Sequence, residues 1–392
     1  MVTLIGTGSA RRALAIGVAA TVVGSFPVFF TAAMAVQLSA DLAFGPVGIG
    51  AAVAVFFGTV ALSSIPLGRV ADRLGASLSL RIATIGAAVS AFAIAAAAWD
   101  WLTLALGLVI AGVSAALSQP ATNRLLMNRV GAARLGTAFG LKQSAPPAAS
   151  MVAGLAVPVF ALTVGWRWAY VAAGVAALLV AVAVGPRPTT VTGRLHRLPR
   201  GRQEPLPYRG TLIVLAVSFG LAFAVSSAVL AFYVDSAVRA GASQQRAGIV
   251  FAAASLTAIV TRLIAGAACD RYRFAPLRLS AALLAGGAVG VGLLATGRPA
   301  LDTFGAIVAL AGTWGFPGVF WYALVRAYPD TPGRITGTMA PAAIGGVIGP
   351  IAFGAVATES SYPLAWGMTS VLALVAAGAM LFGASRLAAS ER

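Results

Sequence analysis

Twelve stretches of about 20 consecutive apolar residues, separated by short polar connectors, constrain this chain more than any other feature. A hydrocarbon core of about 30 Å is crossed by about 20 helical residues rising 1.5 Å each. The stretches run roughly 11–35, 47–68, 79–99, 101–124, 135–160, 167–185, 210–235, 246–268, 277–297, 301–326, 334–357 and 363–388. Each must satisfy its backbone within the bilayer, and without period-two alternation that leaves helices rather than a closed barrel. The 392 residues are 59% hydrophobic and only 9% charged. A water-soluble domain carries about 25% charged residues, so the expected class is an all-α membrane protein with twelve transmembrane helices. The first stretch, preceded by Arg11 and Arg12, is too long for a signal-peptide core and lacks a clear cleavage site, so it is expected to remain as a helix.

A formal net charge of +17 invites a nucleic-acid reading, and the placement of the arginines removes it. With a cytoplasmic N-terminus, 22 arginines fall in inside segments and four, Arg167, Arg239, Arg246 and Arg298, in outside ones. That asymmetry is the product of the positive-inside rule with both termini in the cytoplasm. The longest basic stretch, 186–209, has five prolines and Tyr208 as its one aromatic, not the aromatics on an aqueous basic face that nucleic acid requires. A single cysteine, Cys269, excludes a disulfide scaffold, and a single histidine, His196 in a polar connector, argues against Cys/His catalysis. Gly6-Thr7-Gly8 is followed by Arg11 where a dinucleotide loop needs its third glycine, and the one lysine follows no phosphate-loop spacing. No cofactor, metal or enzymatic activity is expected.

The interval 186–209 is the one long polar stretch, and it divides the apolar segments six and six. The expected organisation is an N-terminal bundle over 1–185, a cytoplasmic linker over 186–209 and a C-terminal bundle over 210–392. The two halves repeat each other. Gly68, Asp72 and Arg73 recur 198 residues later at Gly266, Asp270 and Arg271; Gly112, Arg134 and Trp166 recur 200 later at Gly312, Arg334 and Trp366. Two pseudo-symmetric six-helix bundles of one orientation place their interface at the centre, where transporters hold substrate.

The residues Gly68-Arg69-Val70-Ala71-Asp72-Arg73-Leu74-Gly75 resemble the motif between the second and third helices of the major facilitator superfamily, G-x-x-x-D-[RK]-x-G. They depart from it at Ala76 and Ser77, where basic residues are usual. The second copy, Gly266 to Arg271, is shorter and lacks the second glycine, and Gly165-Trp166-Arg167-Trp168 is also similar to this family. The resemblance spans the whole chain. It implies a monomeric secondary transporter working by alternating access, with a small-molecule substrate, the lipid bilayer and a coupling ion such as a proton as partners. It further implies gating roles for Gly68, Asp72, Arg73, Asp270 and Arg271. Asp72 is expected to pair with Arg124 or Arg129, and Asp270 with Arg326 or Arg334, across a seam that rocking breaks.

Twenty-six arginines against one lysine point to a GC-rich bacterial genome, hence a bacterial cytoplasmic membrane, and single out Lys142. It lies in the fifth stretch about eight residues, or about 12 Å, beyond Arg134, whereas the arginines are expected in connectors or within a turn of them. None of the ten acids is expected at mid-span. An ionisable group inside a bilayer costs at least about 2.5–3.5 kcal/mol on insertion scales and normally faces a wet cavity or a partner. An unbalanced ammonium therefore points to a small organic or inorganic anion as substrate, with Gln143 and Ser144 adding hydrogen bonds. Snorkelling toward the interface and burial as a structural group are the competing readings. Gln119, Asn123, Ser226, Trp314, Trp321, Tyr322 and Phe26 are further candidates to line the cavity, and Asp235 is the acid to test for proton coupling. The alternative function is a polyspecific exporter of drugs or hydrophobic metabolites, in which Lys142 would matter little.

Overall fold

In a computed structural model the described residues are 8–130, 138, 141–185, 209–272, 275–327 and 338–390. Twelve helices long and apolar enough to span a membrane follow one another: α1 Ala10–Ala33, α2 Pro46–Leu74, α3 Ala76–Ala97, α4 Trp101–Arg129, α5 Leu141–Ala161, α6 Trp166–Val184, α7 Arg209–Arg239, α8 Gln244–Cys269, α9 Pro276–Leu294, α10 Pro299–Leu324, α11 Pro341–Glu359 and α12 Tyr362–Ala388. Among the described residues there is no strand. The span count matches the apolar pattern. Arg134, Arg334, His196 and the connector 186–208 lie outside the described residues, as do the side chains of Asp270 and Arg271.

Local chemistry sets several boundaries. At the start of α4 the Asp100 carboxylate accepts from the Thr103 N–H at 2.8 Å, while Thr103 Oγ1 accepts from the Asp100 N–H at 3.1 Å, a reciprocal cap. The Thr103 backbone and hydroxyl donors hold the Asp100 carboxyl below its ordinary range. The cap therefore contributes at neutral pH and is lost as pH falls through that lowered value. Between α2 and α3 the chain reverses at Gly75, whose φ of 79° favours glycine; this is the second glycine of the motif.

The tryptophan repeat is realised in space. Trp166 of α6 donates its indole N–H to Asp41 at 2.7 Å, and Trp366 of α12 donates to Ser236 Oγ at 2.8 Å. Each tryptophan is buried and ties the last helix of its half to the far end of the chain leaving the first. The glycine repeat is looser: a Cβ on Gly112 would meet Thr59 and Phe56 of α2, whereas one on Gly312 would meet Leu283 and Gly287 of α9.

Call the side of the membrane holding both chain ends the terminal face, and the opposite side the far face. α1 and α2 also touch α7, but spans 1–6 and spans 7–12 meet chiefly along two helix pairs, α2 with α11 and α5 with α8. Both are close because small residues line them. Gly50 abuts Pro350 and Gly354 abuts Pro46; a Cβ on Gly154 would stand 2.6 Å from the Gly248 carbonyl and 2.8 Å from the Ala252 nitrogen. Ser150 and Ser255 share a 2.8 Å hydrogen bond, and Gln37 donates to Gln244 at 2.8 Å. These contacts run from the far face to mid-membrane, so the far ends of the halves are sealed. Gly154→Leu should force α5 off α8 at a cost of about 1–3 kcal/mol. Membrane-impermeant thiol labelling at Ser255→Cys from the far side should rise in that variant; unchanged labelling would show that the seal does not depend on this contact.

Candidate functional site

The site begins with two prolines. An α-helical carbonyl accepts from the N–H four residues on, and proline has none. Pro146 and Pro147 therefore leave the carbonyls of Lys142 and Gln143 without their helical partners, and the helix is interrupted by a turn at Ser144 before resuming at Ala145. Lys142 sits on the terminal-face side of this break.

Its side chain is 4% exposed and does not snorkel. The ammonium donates to Gln119 Oε1 at 2.6 Å and to Asn123 Oδ1 at 2.7 Å. These two residues are one turn apart on α4, so their amides share a face toward α5. Three of the sequence candidates are thus brought together by direct contact. Among the described residues no carboxylate reaches salt-bridge distance of Lys142. Elsewhere on α4 and α5 the buried hydroxyls of Ser118, Thr122 and Ser144 have no hydrogen-bond partner among the described residues, and the Thr122 side chain faces Gly17 of α1. One cation and two neutral amide oxygens make the site, and among the described residues it holds no negative charge.

Gln143 enters differently from the expectation. It is its backbone carbonyl, freed by Pro147, that is used, and the donor is Arg262 of α8. Arg262 corrects the expectation that the arginines stay near connectors: it is 8% exposed and stands seven residues, about 10 Å, before the end of α8 at Cys269. Its Nε also donates to the Trp314 carbonyl at 2.8 Å. Counting it among basic connector residues hid it, although Ile259, Val260, Leu263 and Ile264 flank it with apolar sequence on both sides.

The remaining candidates have structural surroundings. Pro317 deprives the Thr313 carbonyl of its helical donor, and Ser226 Oγ lies 2.7 Å from that carbonyl and 2.8 Å from the Ala222 carbonyl. The Trp314 indole N–H donates to the Ser226 carbonyl at 3.1 Å, and its ring lies 5.9 Å from that of Phe29. Phe26 stacks on Phe30, Trp321 packs on Phe219 and Phe320, and Tyr322 is exposed. Asp235 is buried at the far end of α7, bound by Arg239 at 2.8 Å and by the Tyr362 hydroxyl.

A family model described as the Major Facilitator Superfamily matches residues 13–342. The chain belongs to that superfamily. No curated protein matches the sequence significantly. The fold is similar to two crystal structures of a bacterial homologue of the human lysosomal transporter Spinster. The inward-facing unoccupied form has a TM-score of 0.76 at 14% identity, covering 99% of each chain. The inward-facing occupied form has a TM-score of 0.74 at 16% identity, covering 97% of this chain and 98% of that one. The family and the fold are those of membrane transporters.

Within this superfamily frame, the motif residue Asp72 forms an ion pair with Arg124, one of its two expected partners. The pair links α2 to α4 inside the N-terminal half rather than crossing the seam, and Arg124 also donates to the Ala71 carbonyl at 3.2 Å. Arg73 and Arg129 are exposed, and a Cβ on Gly68 would meet nothing within 4 Å. Half of the Asp72 side chain is open to solvent, so the pair is worth about 0–1 kcal/mol.

The Lys142 contacts give a sharper expectation. Gln119→Leu leaves a buried ammonium with one acceptor fewer and should destabilise the protein by about 1.5–3 kcal/mol, the range for a hydrogen bond to a charged group. Gln119→Leu combined with Lys142→Met removes both partners and should recover most of that loss in detergent-solubilised thermal unfolding. Equal losses in the single and double variants would show that the pair carries no such coupling.

Proposed function

We propose that this chain is a secondary transporter of a small anion, organic or inorganic, in a bacterial cytoplasmic membrane. Residues 1–185 and 210–392 act as the two rocking halves, joined by the linker 186–209, with both termini cytoplasmic and the chain working as a monomer. In that orientation the sealed far ends are the external ones. The observation that carries the reading is the ammonium of Lys142, buried with neutral oxygens alone as its acceptors among the described residues.

Amide oxygens solvate an ammonium but do not cancel its charge, and in a low-dielectric interior that charge attracts an anion strongly. A carboxylate or comparable anion displacing one amide brings the opposite charge that a neutral amide lacks and so forms a stronger bond to Lys142. The unengaged Ser144 hydroxyl, two residues from Lys142 at the helix break, is the candidate donor for a remaining anion oxygen. Rocking of the halves then exchanges access, with Asp72 and Arg124 bracing the terminal end of one half. Asp235, bound by Arg239 and Tyr362 at the far end of α7, is the candidate for proton coupling.

One observation favours the second reading, export of hydrophobic compounds. A groove of about 670 Å³, floored by α7 and opening between α11 and α12, is lined by apolar residues including Val217, Leu221, Ile348, Phe353 and Met368, away from Lys142. Thermal stability of the purified protein against carboxylates, small inorganic anions and lipophilic drugs separates the two, because a ligand at 100 times its Kd stabilises by about 2.7 kcal/mol. An anion should raise Tm in the wild type, fail to do so in Lys142→Ala, retain part of the effect in Lys142→Arg, and weaken as the ligand itself is protonated. Stabilisation by several unrelated lipophilic compounds, unchanged in Lys142→Ala, would overturn the anion reading.

A further inference from the structure

Arg262 is a buried guanidinium with no carboxylate within salt-bridge distance among the described residues. A charge so placed has a cost unless it is fully hydrogen-bonded, and it meets that cost with backbone carbonyls from two other helices. One is Gln143 of α5, in the opposite half; the other is Trp314 of α10, in its own half. The Gln143 carbonyl is available because Pro147 has no N–H to offer it. The Trp314 carbonyl lies in the break of α10, where the helix stops at Thr313 and resumes at Phe316. The two broken helices are thus joined at their breaks by one side chain.

The position along the seam adds to this. From far face to terminal face, α5 meets α8 through Gly154 with Gly248, Ser150 with Ser255, then Gln143 with Arg262. The first two contacts are between small residues, which let one helix slide or tilt on the other. The third is charge-assisted and directional, and it fastens the peptide next to Lys142.

We infer that Arg262 is a positioning residue for alternating access: a latch across the seam that holds the Lys142 turn of the N-terminal half against the break of α10 and sets the balance between conformations of the two halves. Its partner is the specific vacancy made by Pro147. Pro147→Ala restores an N–H at position 147 and gives the Gln143 carbonyl an acceptor role within its own helix, so it weakens the latch without touching Arg262. Lysine at 262 keeps the charge but loses the fork that serves two carbonyls at once.

The test uses the full chain with Cys269→Ser, reconstituted in lipid nanodiscs without substrate, and spin labels at Met127→Cys and Arg278→Cys near the terminal ends of α4 and α9. Both native side chains are exposed. Electron-paramagnetic distance distributions are compared in the Arg262→Gln, Arg262→Lys and Pro147→Ala backgrounds and in Arg262→Gln with Pro147→Ala. The latch predicts that Arg262→Gln and Pro147→Ala redistribute the distances in the same direction, that the double variant matches the Arg262→Gln single, and that Arg262→Lys falls between wild type and Arg262→Gln. Unchanged distances in Pro147→Ala, or shifts that add in the double variant, would overturn it. If Arg262→Gln fails to fold, the Pro147→Ala arm decides by itself. Because no substrate is present, failure here leaves the anion reading standing, and failure of that reading leaves the latch standing.

Discussion

A cation taken out of water must be given back either hydrogen bonds or opposite charge, and among the described residues Lys142 has been given the first without the second. Everything proposed about cargo follows from that asymmetry. Had Gln119 or Asn123 been an acid, the same geometry would describe a neutral ion pair with no reason to attract an anion. Their amides solvate the ammonium while each remains replaceable by a stronger acceptor. Retaining a buried group in this condition has a cost in stability, and such expense is normally tied to function in a membrane.

Proline shapes the same region by subtraction. Pro147 in α5 and Pro317 in α10 each remove one donor from a helix, and in both places a side chain from another helix answers: Arg262 for the Gln143 carbonyl, Ser226 for that of Thr313. Breaks in membrane helices are tolerated where neighbours re-satisfy the backbone, and here the neighbours tie the centre of the molecule together. Toward the far face, the halves touch through glycine, proline, serine and glutamine.

Much of this was legible in the sequence because bilayer physics is severe. Twelve apolar stretches could be little other than twelve helices, and the repeat of Trp166 at Trp366 foretold two similar ties, to Asp41 and to Ser236. Lys142 stood out by chemistry and by depth, and Asp72 found a partner named in advance. What escaped did so for a physical reason. Arg262 shares its residue type with 25 others, and only the fold shows that it is buried and bonded to two carbonyls. The carbonyl partners of Arg262 and Ser226 are backbone atoms, which a reading of side chains passes over, although Pro147 and Pro317 announce where free carbonyls must lie. Ser226 and Trp314 were picked as polar or aromatic residues at depth, and their polar atoms bond to each other's helices.

The chain contains one lysine, and this makes its central claim directly observable. Protein labelled with ¹⁵N-lysine in lipid nanodiscs should give one side-chain nitrogen signal, with the chemical shift of a charged ammonium at neutral pH, and that signal should move on titration with a carboxylate or inorganic anion that raises Tm. A neutral-amine shift at the same pH, or an ammonium signal that no anion perturbs, would contradict the account.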